Sequence, residues 1–269
     1  MPRAILARVE RVLGLLACVV CLLGLGCGAS AREPASKSPT TTAVALPLDR
    51  IAIVGASVSV GFGGTPFGEA FAAAAPRAQV ESFANLYLFR DPIGDSRAQI
   101  DRALAFAPRA LFAIDFLFWD IYGSPDPAWR DHALFAGLAQ LERARAAGAW
   151  IVLGDVPHVT TAAEWMLARD RVPDRAALAA YNDRIAAWAT SRARVLHVPF
   201  AAWAAPLAQG GDIELAPGER VPARALVAID GLHANALGVW YLLDRLDRFI
   251  EERLPGTPRD ALVFARPAP

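Results

Sequence analysis

The stretch RIAIVGASVSVG, residues 50–61, determines how the rest of the chain is interpreted. Residues 50–54 are apolar and rich in β-branched side chains, and they end at Gly55, a pattern that predicts a strand buried on both faces. Ser57 follows this strand and is flanked by glycines. Such a turn exposes a hydroxyl beside backbone N–H groups that can stabilise a negative oxygen. Alone this signal is weak, because turns of small residues commonly follow strands.

Strands and helices alternate in the sequence that follows. The predicted strands cover residues 50–54, 79–83, 110–117, 150–154 and 195–198, and the predicted helices cover residues 66–75, 96–106, 127–147, 174–191 and 234–252. This alternation predicts a parallel five-stranded sheet covered by helices on both sides, a three-layer α/β/α fold of the flavodoxin-like type. Ligands of such sheets bind at the carboxyl ends of the strands.

The second informative stretch is IDGLHAN, residues 229–235, which leads into the last predicted helix. Asp230 and His233 are three residues apart, across a glycine. This spacing lets the carboxylate fold back onto an imidazole nitrogen, fix its tautomer and stabilise the imidazolium that forms when the histidine takes a proton. The alternative is an N-capping aspartate beside an unrelated surface histidine.

Together the two stretches resemble the SGNH/GDSL hydrolase family, in which a Gly-Asp-Ser-Leu block follows the first strand and an Asp-x-x-His block lies near the C-terminus. The resemblance spans residues 49–254. It implies the SGNH hydrolase fold, with Ser57 as nucleophile, His233 as general base and Asp230 as the acid that orients it. Ala56 stands where the family has the aspartate of the first block.

The resemblance also implies an oxyanion hole, for which the sequence offers four candidate donors. One is the N–H of Ser57. The family's second block contributes a glycine N–H, for which Gly94 is the local candidate, and Asn85 lies in the same block. The third block contributes an asparagine side chain. When the sequence is aligned on Asp120, Trp119 occupies the position of that asparagine, and its indole N–H has a different reach. Because losing one oxyanion donor costs about 2.7–4 kcal/mol of transition-state stabilisation, binding without hydrolysis stays open.

Three other polar residues near these blocks have no catalytic assignment. Gly94-Asp95-Ser96 spells Gly-Asp-Ser, but no buried strand precedes it, so Ser96 is not taken as the nucleophile. Asp115 and Asp120 lie at the end of the third predicted strand, where we expect them to be structural, hydrogen-bonded carboxylates.

The two ends of the chain lie outside the predicted domain of residues 49–254. Residues 1–26 have a basic head and an apolar run shorter than the roughly 20 residues of a spanning helix, which is typical of a secretory signal peptide. The alternative is an uncleaved anchor helix. Residues 24–27 (Gly-Leu-Gly-Cys) resemble a bacterial lipobox, so Cys27 is the lipidation candidate and residues 27–48 a flexible membrane tether. Residues 255–269 are a Pro-rich tail or surface strap.

Composition excludes several function classes. Lys+Arg and Asp+Glu both number 27, which leaves no clustered positive charge for nucleic acid. The cysteines all lie within residues 18–27, so the domain has no thiol nucleophile or thiolate metal site. His132, His158 and His197 lack metal-ligand spacing, and the glycine-rich residues 61–64 lack the lysine of a phosphate loop. We therefore expect no metal and no cofactor.

These observations predict an exported serine ester hydrolase that forms an acyl-enzyme on Ser57. Its substrate is expected to be a small-molecule, lipid or glycan ester. The protein is expected to be periplasmic or to be a lipoprotein of the outer membrane or cell surface. The alternative is secretion into the medium. Two alternatives remain: acyl transfer by the same residues, and a non-catalytic SGNH-like protein that binds envelope polysaccharide. The oligomeric state is not indicated.

Overall fold

The computed structural model describes residues 44–268, and a parallel sheet forms the centre of this part of the chain. The strands are β1 (Arg50–Ile53), β2 (Gln79–Ser82), β3 (Ala110–Ala113), β4 (Trp150–Gly154) and β5 (Val195–Val198). They lie in the order β2-β1-β3-β4-β5, and every neighbouring pair is parallel. Ile53 of β1 is in register with Ser82 on one side and Phe112 on the other.

Eight α-helices accompany the sheet within the described residues. They are α1 (Ser57–Val60), α2 (Phe67–Ala74), α3 (Pro92–Phe106), α4 (Phe118–Tyr122), α5 (Pro127–Ala146), α6 (Arg175–Thr190), α7 (Phe200–Gln209) and α8 (Ala236–Arg253). Short 3₁₀ turns lie at Leu88–Arg90, Arg169–Arg171 and Ala223–Leu226.

The two faces of the sheet contribute to two separate apolar clusters. Successive strand residues point to opposite faces, so Ile53 packs with residues of α2, α7 and α8, whereas Val54 packs with residues of α3, α5 and α6. Both side chains are fully buried. Helices therefore cover both faces, and the predicted three-layer α/β/α fold with a five-stranded parallel sheet is confirmed.

The structure corrects several predicted elements. The third strand was predicted to reach residue 117, but β3 ends at Ala113 and α4 begins at Phe118. Helix α3 begins at Pro92 rather than residue 96, because the Asp91 side chain caps it. Helix α7 was not predicted. Nor was the antiparallel hairpin of β6 (Asp212–Ala216) and β7 (Glu219–Pro222).

Both ends of the described chain pack on the domain, beyond the predicted limits of residues 49 and 254. Leu46 and Leu262 are 3% and 1% exposed. The Leu46 N–H donates to Thr257 Oγ1 at 2.8 Å, and the Trp240 indole N–H donates to the Phe264 carbonyl at 3.1 Å. The C-terminal segment is therefore a surface strap as far as residue 268. The predicted signal peptide, Cys27 and most of the tether lie outside the described residues.

The side of the sheet on which successive strands are added changes at β1. From β1 the chain crosses to β2 on one side and then returns to β3 on the other. The carboxyl ends of two such strands border the crevice where open α/β sheets bind ligands. Ser57 follows β1, and Asp115 follows β3. Within residues 44–268 no helix is both long and apolar enough to cross a bilayer.

Candidate active site

The turn that carries Ser57 leaves β1 through Gly55 and enters the single-turn helix α1. Ser57 is the first residue of α1, and Ala56, its N-cap residue, has no side chain that can accept a hydrogen bond. The N–H groups of Ala56, Val58 and Ser59 all donate to the carboxylate of Asp115. The Ser57 N–H has no acceptor among the hydrogen bonds of residues 44–268, so it remains available to a ligand.

The histidine and its carboxylate lie on one tight loop between the 3₁₀ turn and α8. An antiparallel bridge between Val227 and Ala234 closes this loop, and the Ala228 N–H donates to the His233 carbonyl at 2.8 Å. Inside the loop, Asp230 Oδ1 accepts the backbone N–H groups of Leu232 and His233 at 3.0 Å each. The backbone therefore fixes the carboxylate in the orientation that faces the imidazole.

The three side chains form a continuous chain of hydrogen bonds. His233 Nδ1 lies 2.7 Å from Asp230 Oδ2, and His233 Nε2 lies 2.7 Å from Ser57 Oγ. Asp230 and His233 are 4% and 3% exposed. Burial raises the pKa of Asp230, but the hydrogen bonds from His233 and from the Leu232 N–H outweigh it, so the pKa lies below its ordinary value. An ionised carboxylate is therefore held against one nitrogen while the other faces the serine.

Two neighbouring loops hold the histidine loop in place. The loop after β4 docks through Thr161 Oγ1, which donates to the Gly231 carbonyl at 2.8 Å. Gly231 has φ +66°, and a Cβ there would overlap the Thr161 carbonyl oxygen, so only glycine fits this contact. On the other side, the Phe62 ring contacts the His233 imidazole with centroids 4.6 Å apart. The glycine-rich residues 61–64 thus pack on the histidine loop.

A cavity of about 70 Å³ opens beside Ser57 and His233. Helix α7, the loop after β4 and the histidine loop before α8 supply most of its wall. The lining side chains are mostly apolar and include Phe118, Val159, Phe200, Ala204, Leu207 and Leu242. His158 also lines it. Apolar walls beside a few convergent polar groups are typical of a small-molecule site.

Asn85 lies beside the nucleophile turn on the β2 side. Its backbone N–H donates to the Gly55 carbonyl at 3.0 Å. Its side-chain Oδ1 accepts the Tyr87 N–H at 3.0 Å. Its amide nitrogen donates no hydrogen bond within residues 44–268. Of the candidate oxyanion donors, Ser57 and Asn85 are thus placed at the end of β1.

The structure does not support Gly94 and Trp119 as oxyanion donors. The Gly94 N–H donates at 3.0 Å to Asp91 Oδ1, as part of the N-cap of α3. The Asp-Pro pair before it is a sequence signal for that cap. The Trp119 indole N–H is buried without a hydrogen-bond partner among residues 44–268, and its ring packs on Phe89 and Phe118. Phe118, not Trp119, lines the cavity.

Asp115 is a hydrogen-bonded carboxylate at a strand end, as expected from the sequence, but its partner, the turn around Ser57, was not predicted. It is 6% exposed, lines the cavity and binds the nucleophile turn. Its position after a buried strand next to β1 was the available signal, but the pairing of β1 with β3 was needed to interpret it. Asp120, in contrast, is 1% exposed, and neither of its carboxylate oxygens has a hydrogen-bond partner in the described part of the chain. It therefore does not fit the expected hydrogen-bonded carboxylate.

No cluster of three or more His, Cys, Asp or Glu side chains that could hold a metal ion occurs among residues 44–268. The side chains around Ser57 are a hydroxyl, an imidazole and a carboxylate in mutual contact. Such an arrangement can support covalent catalysis by an activated hydroxyl.

Comparisons with known proteins identify the fold. No family model matches the chain, and no curated protein matches it. Among solved structures, TesA is similar with a TM-score of 0.53 at 17% identity, covering 76% of this chain and 99% of that chain. An acetyl xylan esterase from Geobacillus stearothermophilus has a TM-score of 0.49 at 16% identity, covering 75% and 94%. A GDSL-like lipase from Bacteroides thetaiotaomicron has 0.48 at 12%, covering 78% and 92%. The chain has the three-layer α/β/α fold of the SGNH hydrolases.

Proposed function

We propose that this protein is a serine hydrolase of the SGNH/GDSL type that cleaves carboxylic esters. The observation that carries the proposal is the unbroken contact from Asp230 through His233 to Ser57, with two distances of 2.7 Å. Each contact has the length that a nucleophile, its base and an orienting group need. The cavity beside the hydroxyl supplies room for the substrate.

The reaction proceeds through an acyl-enzyme. Ser57 Oγ attacks the ester carbonyl carbon while His233 Nε2 takes the hydroxyl proton, and Asp230 stabilises the imidazolium. The tetrahedral oxyanion accepts the Ser57 N–H, with the Asn85 amide as the second donor. Collapse breaks the bond to the alkoxy oxygen, which leaves as the alcohol with the proton from His233. A water then repeats the sequence on the acyl-enzyme and releases the acid.

The cavity favours an ester with an aliphatic acyl group. Its wall is mostly apolar, and helix α7 contributes Phe200, Ala204 and Leu207. Burying each methylene of an acyl chain against such a wall is worth about 0.8 kcal/mol. We therefore expect activity to increase from acetate to medium-chain esters, with the alcohol directed towards solvent.

The N-terminal sequence supports an activity outside the cytoplasm. A basic head, an apolar run and Gly-Leu-Gly-Cys at residues 24–27 support export with lipidation at Cys27. The substrates proposed are accordingly esters of the cell envelope or its surroundings.

The experiment that tests the proposal is hydrolysis of p-nitrophenyl esters of graded chain length by the purified mature domain. We expect turnover by the wild type and loss of turnover in Ser57→Ala. Ser96→Ala is the matched control and should retain activity, because Ser96 belongs to the Gly-Asp-Ser tripeptide of residues 94–96, which lies in α3. A folded wild type that hydrolyses no ester would favour the second candidate, a binding protein, which the missing third-block asparagine motivates.

A further inference from the structure

Asp115 is a buried carboxylate next to the nucleophile that the reaction above does not use. Its Oδ1 accepts the Ala56 N–H at 3.1 Å and the Ser59 hydroxyl at 2.5 Å. Its Oδ2 accepts the Val58 N–H at 2.8 Å and the Ser59 N–H at 3.2 Å. One side chain from the end of β3 thus makes four hydrogen bonds to a single turn after β1.

These bonds compensate for a missing cap. The first N–H groups of a helix have no partner within the helix, and an N-cap side chain usually accepts one of them. Ala56 occupies the N-cap position of α1 and has only a methyl group. Asp115 replaces that cap from a neighbouring strand. It binds the N–H groups on both sides of Ser57 and leaves the Ser57 N–H unbound.

The backbone of the turn is shaped for this carboxylate. A Cβ on Gly55 would overlap Asp115 Oδ1 and would also lie 2.5 Å from Ser59 Oγ. Gly55 has φ +156°, which side chains disfavour. The glycine at the end of β1 is therefore explained by the close approach of Asp115.

These donors offset part of the cost of burying the Asp115 carboxylate. Burial raises its pKa above the ordinary value, although the hydrogen bonds from Ser59, Ala56 and Val58 act to lower it. No basic side chain of residues 44–268 forms an ion pair with it. All four bonds require oxygen acceptors, so replacing one oxygen with an amide nitrogen turns a donor towards N–H groups.

We propose that Asp115 is a positioning residue that clamps the nucleophile turn. It holds Ser57 Oγ at hydrogen-bond distance from His233 Nε2 and keeps the Ser57 N–H free for the oxyanion. The inference rests on the proposed ester hydrolysis, because it acts through that nucleophile. A displacement of about 1 Å at a reacting group can reduce the rate roughly 100-fold.

The chain offers a matched control in Asp120. This aspartate is five residues further along, is also buried, at 1% exposure against 6% for Asp115, and has no hydrogen-bond partner among the described residues. Asp120→Asn makes the same chemical change as Asp115→Asn in the same segment. A difference between the two variants therefore reports the contacts to the turn and not the loss of a buried carboxylate.

The experiment compares the wild type with Asp115→Asn, Asp120→Asn and Ser59→Ala by two readouts. The first is kcat and KM on p-nitrophenyl butyrate. The second is amide hydrogen exchange in peptides that cover residues 55–61, which needs no activity. We expect Asp115→Asn to lower kcat about 100-fold with little change in KM and to increase exchange in these peptides. Asp120→Asn should change neither readout.

Ser59→Ala keeps the inference testable should Asp115→Asn not fold. It removes one of the four bonds, and we expect a smaller loss of kcat together with faster exchange in the same peptides. A folded Asp115→Asn or Ser59→Ala variant with wild-type exchange over residues 55–61, or with wild-type kcat, would overturn the inference. A wild type inactive on every ester would overturn the proposed function alone, because the exchange readout is independent of turnover.

Discussion

His233 Nε2 lies 2.7 Å from Ser57 Oγ, although 176 residues separate the two in the chain. Ser57 is placed by the end of β1, and His233 by a loop that a backbone bridge closes just before α8. Asp115 also binds the turn that carries Ser57, and the sheet and α8 bring Ser57 and His233 together. Hydrogen bonds thus hold both residues in place, which is a condition for preorganised catalysis.

Asp230→Asn is expected to lower kcat by about 10⁴-fold, because an amide cannot hold the imidazole in the reactive tautomer or stabilise the imidazolium. Initial rates on a p-nitrophenyl ester measure this effect. Asp244→Asn is the control that should stay active, because Asp244 lies within α8 and pairs with Arg248. An Asp230→Asn enzyme with more than a tenth of wild-type kcat would argue against the carboxylate's role.

Ala204→Trp is expected to shorten the acyl chain that the enzyme accepts, because Ala204 lines the cavity on α7. The ratio of kcat/KM for octanoate to that for acetate should fall at least about tenfold, the effect of losing roughly two buried methylenes. Ala202→Trp, on the exposed side of α7, should leave the ratio unchanged. Equal ratios in both variants would show that the acyl group binds elsewhere.

Asp120→Asn is expected to stabilise the protein at neutral pH. Burial raises the pKa of Asp120 well above its ordinary value, so ionisation costs folding free energy as pH rises from the unfolded pKa towards the folded one. Below about pH 4 the carboxyl is protonated in both states and the cost is absent. Urea unfolding at pH 4 and pH 7 should show a gain over wild type of about 1–3 kcal/mol at pH 7 only. A gain that does not depend on pH would contradict this.

Leu262→Ala tests whether the C-terminal strap belongs to the folded domain. Leu262 is 1% exposed, so its truncation should lower the free energy of unfolding by about 2–5 kcal/mol. The adjacent Val263 is 62% exposed, and Val263→Ala should change it by less than about 0.5 kcal/mol. Chemical denaturation of the two variants gives the comparison, and similar small effects would mean that the strap detaches in solution.

The sequence predicted the sheet well because parallel strands buried on both faces are continuous apolar runs. The bounds of β4 and β5 agree with the prediction to the residue. The third strand was predicted too long because the residues on both sides of Asp115 are apolar, although β3 ends at Ala113 and Asp115 already bonds to the turn after β1. Helix α7 was missed because it contains Pro206, which ordinarily interrupts a helix.

The candidate site was predictable where its parts are local in sequence and not where they depend on packing. Asp230 and His233 lie three residues apart, so their contact could be expected from spacing alone. The contact of Asp115 with Ser59 joins two strand ends 56 residues apart and depends on the strand order. The rejection of Gly94 was accessible from its Asp-Pro cap signal.

Reaction with a fluorophosphonate, followed by identification of the labelled peptide, tests the central claim most directly. The probe reports an activated serine and requires no knowledge of the natural ester. We predict one equivalent of label on Ser57 in the wild type, none in Ser57→Ala, and slow labelling in His233→Ala. A folded wild-type domain that stays unlabelled, or that carries the label on another serine, would contradict the account.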